Sequence, residues 1–168
     1  VGQNSGHWCS PNATYDRLTG VKPSKCSRRD LIMELADALA PHGIRMMVYE
    51  ISGAPTHDKQ AVEALGWEWG FKAPDHAGHG FAERKGARLV GMQRKWEAIL
   101  REYSLRWGRK VHGWWIDGCY FADEMYRHKD PPNFESFAAA MRAGNPDSIV
   151  AFCPAWLIPV SSITEHED

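Results

Sequence analysis

Apolar residues recur along the middle of this chain at the spacing of an amphipathic helix. Between positions 89 and 108 they fall three and four residues apart, at Leu89, Met92, Trp96, Ile99, Tyr103 and Trp107. A stripe of this kind packs against a core, and a glycine such as Gly108 commonly ends a helix. The pattern therefore predicts one long helix, buried along one face, that reaches Trp107.

Two shorter helices are predicted on either side of the long one. The first begins at a capping box formed by Ser27 and Asp30 and ends before Gly43. Its predicted inner residues are Leu31, Leu35 and Leu39. The second begins at the cap residue Asn133 and ends at the turn 144–146. Its predicted inner residues are Phe134, Phe137 and Met141.

Short, mostly apolar runs bounded by turn residues predict buried strands over 44–50, 114–117 and 148–153. Each run follows a predicted helix, as strands of a parallel sheet do. Positions 1–4 resemble the end of one more strand. The segment 51–83 is predicted to be a long connection with one short helix near 59–65, and long connections of this kind usually serve function.

This alternation of strands and helices is typical of the α/β class. Four parallel strands with intervening helices account for about half of a (β/α)8 TIM-type barrel, which needs roughly 200 residues or more. The prediction is therefore a single partial catalytic barrel domain over 1–168, cut from a longer protein, and the first residue, Val1, agrees with a missing start. The alternative fold is a small open doubly wound sheet, although no glycine-rich phosphate loop follows any strand.

Composition and charge limit the kinds of binding partner that are expected. The 168 residues carry 20 basic and 21 acidic side chains, a net charge of -1, and no long block of one sign. No apolar run approaches 18 residues, so a membrane partner is not expected. The balanced charge gives no reason to expect a nucleic-acid partner. The four cysteines form no CxxC pair, and their spacing leaves free thiols and disulfides equally open.

The most informative segment is 112–118, which reads His-Gly-Trp-Trp-Ile-Asp-Gly. A strand buried on both faces has no use for a charge, so Asp117 belongs at its carboxyl end, where Gly118 lets the chain turn away. In α/β folds chemistry takes place at that end. Asp117 is therefore either an ionised nucleophile or base, or a carboxylate that caps the next turn through backbone N–H groups.

Other polar and aromatic side chains are predicted at the same end of the sheet. Glu50 is predicted to orient a sugar hydroxyl, to pair with an arginine or to act as a general acid. His7 hydrogen-bonds a substrate hydroxyl while Trp8 stacks on a sugar ring, or else it is a surface histidine beside a packed tryptophan. Eight tryptophans is a high number for this length, and Trp115 is another indole at a strand end that offers a platform for a sugar ring.

A metal site is a further reading of the loop that contains Asp75, His76 and His79, with a solvated loop as the alternative. No fourth ligand follows at a recognisable spacing, and the chain contains neither a Gly-x-Ser-x-Gly elbow nor an HExxH helix. Neither a metal nor a cofactor is therefore expected.

From about Gly6 to Val150 the chain resembles the catalytic barrel of family 29 glycoside hydrolases, the α-L-fucosidases. Residues 100–118, with Gly108 and Trp-Trp-Ile-Asp-Gly, are similar to that family's "Leu-x-x-Leu/Tyr … Gly … Trp-Phe-Asp-Gly" segment. Residues 43–49 resemble its "Gly-Leu-Lys-Phe-Gly-Leu-Tyr-Tyr" strand, and 145–150 resemble its "Gln-Pro-Asp-Val-Ile-Ile".

The resemblance implies a retaining exo-α-L-fucosidase whose substrate is a carbohydrate. It implies that Asp117 is the nucleophile and that Trp115 is an active-site tryptophan. Asn4 and His7 take the place of the family's sugar-binding segment, and Glu165 falls where the family has its general acid, unless the acid lies past residue 168. A secreted or periplasmic location would follow from the family.

Two other classes of function remain open from the residues alone. A non-catalytic sugar-binding barrel would keep the aromatic platforms without the acid. A metal-dependent hydrolase would use the His-rich loop at 75–79.

Overall fold

The computed structural model describes residues 8–51, 58–67, 89–117 and 128–152. Within them the order of elements is α1 (Ala13–Thr19), α2 (Leu31–Leu39), β1 (Met47–Ile51), α3 (Lys59–Leu65), α4 (Val90–Trp107), β2 (Gly113–Asp117), α5 (Phe134–Arg142) and β3 (Ile149–Phe152). Short 3-10 turns follow α2 and α4. Across these ranges, no helix has both the length and the apolar character that crossing a membrane requires.

The three strands form one parallel sheet in the order β1-β2-β3. Val48 pairs with Trp114, and Trp114 pairs with Val150, so β2 is the central strand of the three. Parallel neighbours need long crossover connections, and both connections here contain helices. All three carboxyl ends therefore lie at the same edge of the sheet.

The predicted half-barrel of four parallel strands is wrong. The described residues contain three parallel strands in one sheet with five α-helices, which is a small α/β arrangement. The fourth strand was predicted at positions 1–4, which lie outside the described residues. Alternation of strands and helices is a local pattern, whereas closing a sheet depends on tilt and stagger across many strands, which no local pattern encodes.

The two faces of the sheet differ in exposure. Val48, Trp114, Ile116 and Val150 are at most 1% exposed on one face, whereas Trp115 on the other face is 47% exposed. The buried face packs against α4 and α5. Trp107 of α4 stacks on Trp114 with ring centroids 5.5 Å apart, and the centroids of Phe137 of α5 and Phe152 are 5.8 Å apart. The core of the described part includes this interface and extends to buried residues of α1, α2 and α3.

The predictions for α4 and α5 are confirmed. The apolar stripe of α4 is buried as its spacing predicted, from Met92 to Trp107. Helix α5 begins after the predicted cap Asn133, whose side chain accepts a hydrogen bond from the Ser136 backbone N–H. The Ser136 hydroxyl accepts one from the Asn133 N–H in return, which completes a capping box.

Helix α2 begins later than predicted and turns a different face to the core. Its N-cap is Asp30, whose Oδ1 accepts from the Met33 N–H at 3.2 Å. The buried residues are Ile32 and Ala36, while Leu35 is 41% exposed. The cause lies outside the helix, because the same Asp30 oxygen also accepts hydrogen bonds from Ser10 and from the Trp107 indole. Those bonds fix the rotation of α2.

Helix α1 was not predicted from the sequence. Its cap residue Asn12 accepts from the Tyr15 N–H at 2.7 Å and donates to the Ile99 carbonyl at 3.0 Å. The Glu102 carboxylate accepts from the N–H groups of Ala13 and Thr14 at 2.8 and 2.7 Å. The unpaired N–H groups at the start of α1 are thus satisfied largely from α4.

Helices α4 and α5 meet at a contact that only glycine permits. The Gly144 N–H donates to the Ser104 hydroxyl at 2.9 Å, and that hydroxyl donates to the Met141 carbonyl. A Cβ atom added at position 144 would lie 1.8 Å from the Ser104 carbonyl oxygen. The obstacle is backbone, which cannot rotate away as a side chain can.

We expect Gly144→Ala to destabilise the protein by about 3 kcal/mol, because the two helices must separate to admit the methyl group. Chemical denaturation of the complete natural polypeptide measures the change. The matched control is Gly91→Ala, because a Cβ there meets nothing within 4 Å and the position is inside α4. It should stabilise by about 0.5 to 1 kcal/mol, and similar losses for both variants would contradict the account.

The contact between Glu102 and α1 predicts a pH-dependent stability. Burial raises the pKa of Glu102, but the hydrogen bonds from Thr14 and Ala13 outweigh it and hold the pKa below its ordinary value of 4.5. The carboxylate therefore stabilises the fold above pH 4.5, and this contribution is lost as pH falls through the lowered pKa. We expect Glu102→Gln to cost about 1 kcal/mol at pH 7 and almost nothing at the acidic limit.

Denaturation midpoints measured across pH test this expectation. The control is Glu63→Gln, because the Glu63 side chain is 67% exposed in an ion pair with Lys59. It should change stability by less than about 0.5 kcal/mol at any pH. A difference between Glu102→Gln and the natural protein that stays constant with pH would disprove the role of the carboxylate.

Candidate active site

Asp117 is the last residue of β2, the central strand of the described sheet. Its backbone is in register with Ile51, the last residue of β1. Gly113 begins the strand, and Trp114 and Ile116 anchor it to the core because both are almost completely buried. The predicted placement of Asp117 at a strand's carboxyl end is confirmed. Its chemical role is not tested by this placement.

Trp115 lies on the face of the sheet opposite the packed helices. It is 47% exposed, and it is in register with Tyr49 on one side and Ala151 on the other. The rings of Tyr49 and Trp115 are nearly perpendicular, at 75°, with centroids 6.3 Å apart. This edge-to-face geometry is favourable for aromatic pairs. The site therefore presents an indole that is both accessible and held by a neighbouring ring.

Glu50 lies on the other face from Trp115. It is in register with Ile116, is 1% exposed, and lines a narrow cleft whose other residues come from the amino-terminal segment, α2 and α4: Trp8, Cys9, Ser10, Ile32, Tyr103 and Trp107. Side chains of adjacent strand positions point to opposite faces. The structure consequently does not bring Glu50 together with Trp115.

Trp8 is part of the hydrophobic core. It is 3% exposed, and its ring centroid lies 5.2 to 5.6 Å from those of Tyr15, Trp96 and Tyr103. Its backbone forms a parallel bridge with Cys26. The predicted role of Trp8 as a platform for a sugar ring does not fit this position, because protein side chains already occupy the surroundings of its indole. The alternative, a packed tryptophan, fits it.

Two polar side chains near Trp8, those of Tyr103 and Cys26, have pKa values that are raised above their ordinary values. The Tyr103 hydroxyl donates to the Ser10 carbonyl at 2.9 Å, and burial, with smaller contributions from Cys26 and Glu50, raises the Tyr103 pKa far above its ordinary value. Burial also raises the pKa of the Cys26 thiol. A protonated thiol is a poor nucleophile, so Cys26 is not suited to covalent catalysis.

Three predicted site residues, Asn4, His7 and Glu165, lie outside the described residues, as does the loop at 75–79 that suggested a metal site. Among the residues that are described, no group of three or more His, Cys, Asp or Glu side chains is arranged to hold a metal ion. The described part of the site thus consists of the Asp117 position and the aromatic side chains beside it.

Two features of this region were missed from the sequence. Tyr49 was not singled out, because only the strand register shows that it meets Trp115. Asp30 was interpreted only as a capping residue, whereas its Oδ1 also accepts from Ser10 at 2.6 Å and from the Trp107 indole N–H at 3.1 Å. Its place immediately before an apolar helix was a usable signal for the cap, but no local signal indicates the two distant donors.

Comparison with solved structures identifies the fold. The chain is similar to the endo-fucoidan hydrolase MfFcnA4 from glycoside hydrolase family 107, with a TM-score of 0.63 and 20% sequence identity over 92% of this chain and 27% of that one. A second enzyme of that family, the endo-fucoidan hydrolase MfFcnA9, gives a TM-score of 0.62 and 18% identity over 92% of this chain and 31% of that chain. The chain therefore spans about a third or less of the solved chains it matches.

No family model matches the sequence, and no curated protein matches it. The structural likeness shows that this chain has a fold found in glycoside hydrolases. The solved relatives belong to family 107, whereas the sequence resemblance pointed to family 29.

Replacing each of two tryptophans separates a core role from a surface role. We expect Trp8→Ala to destabilise the protein by about 3 to 5 kcal/mol, because it removes a buried indole. Trp115→Ala should cost about 1 kcal/mol or less, because the side chain is half exposed and loses mainly its contact with Tyr49. Denaturation of the complete polypeptide gives both values, and equal losses would refute this assignment.

Proposed function

We propose that this chain carries the nucleophile of a retaining glycoside hydrolase that cleaves α-L-fucosyl bonds. The observation that carries the proposal is the position of Asp117 at the carboxyl end of the central parallel strand, two residues after an exposed indole, in a fold found in glycoside hydrolases. In such a reaction the Asp117 carboxylate attacks the anomeric carbon and the glycosidic oxygen leaves with a proton. Water then hydrolyses the glycosyl-enzyme.

Trp115 supplies the binding surface next to this nucleophile. Positions two apart in a strand share one face of the sheet, so Trp115 and position 117 belong to the same side. An exposed indole offers a flat apolar surface for the C–H face of a sugar ring. Stacking there would hold the anomeric carbon close to the strand end, which is the positioning that a displacement reaction needs.

The second carboxylate is expected from the carboxyl-terminal part of the chain. Glu165 is the candidate that the sequence resemblance provides, and a retaining mechanism places the two carboxyl groups roughly 5 Å apart. Glu50 is the weaker candidate because its side chain lies on the opposite face of the sheet from Trp115. Asn4 and His7 are proposed as contacts to the sugar hydroxyls. The mechanism requires neither a metal nor a cofactor, because the two carboxyl groups supply acid, base and nucleophile.

Two lines of support agree on the sugar and differ on the mode of cleavage. The sequence resembles enzymes that release a terminal α-L-fucose, whereas the structural relatives are described as endo-fucoidan hydrolases. Fucose-containing glycans are the substrate class common to both. We propose terminal α-L-fucosyl bonds as the first substrate and internal bonds of fucoidan as the second, and product size distinguishes them.

The test uses the complete natural polypeptide with an aryl α-L-fucoside and, separately, with fucoidan. Asp117→Gly should lower the release of the aryl group by at least 10⁴-fold, as loss of a catalytic nucleophile does. Azide fits the space left by the carboxylate and should restore part of the activity as a glycosyl azide product. The anomeric configuration of that glycosyl azide, inverted relative to the substrate, shows that azide has replaced the nucleophile and not the acid/base.

The matched control is Asp147→Ala, because Asp147 is 71% exposed in a surface ion pair with Arg109. It should keep the activity of the natural protein, with or without azide. Loss of activity in Asp117→Gly that azide does not restore would exclude Asp117 as the nucleophile. Binding of fucose-containing glycans without turnover by the natural protein would instead support a sugar-binding module.

A further inference from the structure

One row of side chains crosses the open face of the sheet just before the strand ends. The register places Tyr49 of β1, Trp115 of β2 and Ala151 of β3 side by side. From β1 to β3, the side chains of this row are therefore a phenol ring, an indole and a single methyl group. The next row toward the amino ends is Met47, Gly113 and Ile149, with its small residue in the centre.

The two sides of the Trp115 indole are therefore different. On the β1 side, the Tyr49 ring meets it nearly at a right angle, with a centroid distance of 6.3 Å. On the β3 side, the neighbour is Ala151, whose methyl group is too short to reach across an indole. Trp115 retains 47% of its exposure in this setting. Among the described residues, this arrangement has one wall, formed by the tyrosine, and one open side.

We propose that Tyr49 is a positioning residue that holds the sugar-binding indole of Trp115, and that Ala151 leaves the space in which the sugar ring lies. This inference rests on the proposed function, and it adds two residues that the sequence had not indicated. The occupant is one fucosyl unit, because the proposed nucleophile is two residues further along β2. A ring that occupies this space meets an apolar floor and has its polar edge toward the strand ends.

Holding the indole in advance matters for affinity. A free Trp side chain must lose rotamer freedom when a ligand stacks on it. If a neighbouring ring already holds the indole, this entropy is lost on folding and does not reduce the free energy of binding. An edge-to-face pair contributes about 0.5 to 1.5 kcal/mol beyond the buried area, which corresponds to roughly 2- to 12-fold in an equilibrium constant. Loss of the Tyr49 ring should therefore weaken substrate binding by that factor.

The experiment measures kcat and KM for an aryl α-L-fucoside with the complete polypeptide and its variants. Tyr49→Ala should raise KM about 2- to 12-fold while kcat changes less than about 3-fold, because the nucleophile is untouched. Tyr49→Phe keeps the ring and should restore KM to within about 2-fold of the natural value. Ala151→Leu should raise KM more than about 10-fold, because the added atoms occupy the sugar's space.

The matched control is Met47→Ala, which removes a side chain on the same strand and the same face, one row further from the strand ends. Its KM should stay within about 2-fold of the natural value. An unchanged KM in Tyr49→Ala, or an equal fall in kcat for Tyr49→Ala and Met47→Ala, would overturn the inference while the azide result for Asp117 still stood.

An inactive natural protein would end the proposed function and leave the subsite to be judged by binding. Quenching of tryptophan fluorescence by L-fucose, D-galactose and D-glucose then provides the measurement. Quenching by one of these sugars that is weakened in Tyr49→Ala and Ala151→Leu, and retained in Tyr49→Phe, would support the subsite. No response to any of the three sugars would disprove it.

Discussion

The contact between Trp107 and Trp114 determines which way the central strand faces. The two rings stack with centroids 5.5 Å apart, and this contact fixes the even-numbered positions of β2 toward the helices. Because side chains alternate strictly in a strand, the odd-numbered positions must belong to the other face. A slip of one residue would bury Trp115 and expose Trp114. The open aromatic surface and the position of the proposed nucleophile both depend on this one packing choice.

The same alternation explains why two acidic residues of similar sequence context differ in structure. Glu50 and Asp117 both end apolar runs, so equivalent positions were predicted for them. The register pairs Glu50 with Ile116, so Glu50 shares the helix-covered face, whereas Asp117 pairs with Ile51 one step further on. The two acidic residues thus differ by one register position along the β1-β2 pair, and this difference makes Glu50 a buried carboxylate and puts Asp117 at the end of its strand. Sequence alone shows the run but not the register across neighbouring strands.

Local patterns predicted the elements that local physics controls. Helix α4 has 18 residues with a regular stripe, and α5 has its capping box, so both were predictable. Helix α1 was missed because its sequence, Ala-Thr-Tyr-Asp-Arg-Leu-Thr, has no stripe and depends on Glu102 and Asn12 for its caps. The predicted inner face of α2 was wrong because Asp30 accepts a hydrogen bond from the indole of Trp107, which is 77 residues away. The prediction of a barrel also failed because it depends on distant parts of the chain, since the closure of a sheet is not a local property.

The amino-terminal segment is held mainly by a helix that comes much later in the chain. Asn12 binds the carbonyl of Ile99, Ala13 binds Glu102, and Tyr103 binds the carbonyl of Ser10, at separations of 87, 89 and 93 residues. Contacts this distant in sequence form late in folding because a long loop must close first. On a ribosome, α1 leaves the exit tunnel many residues before its partner has been made. This segment therefore has to wait for α4, and until α4 has been made the groups that it will bury stay open to other contacts.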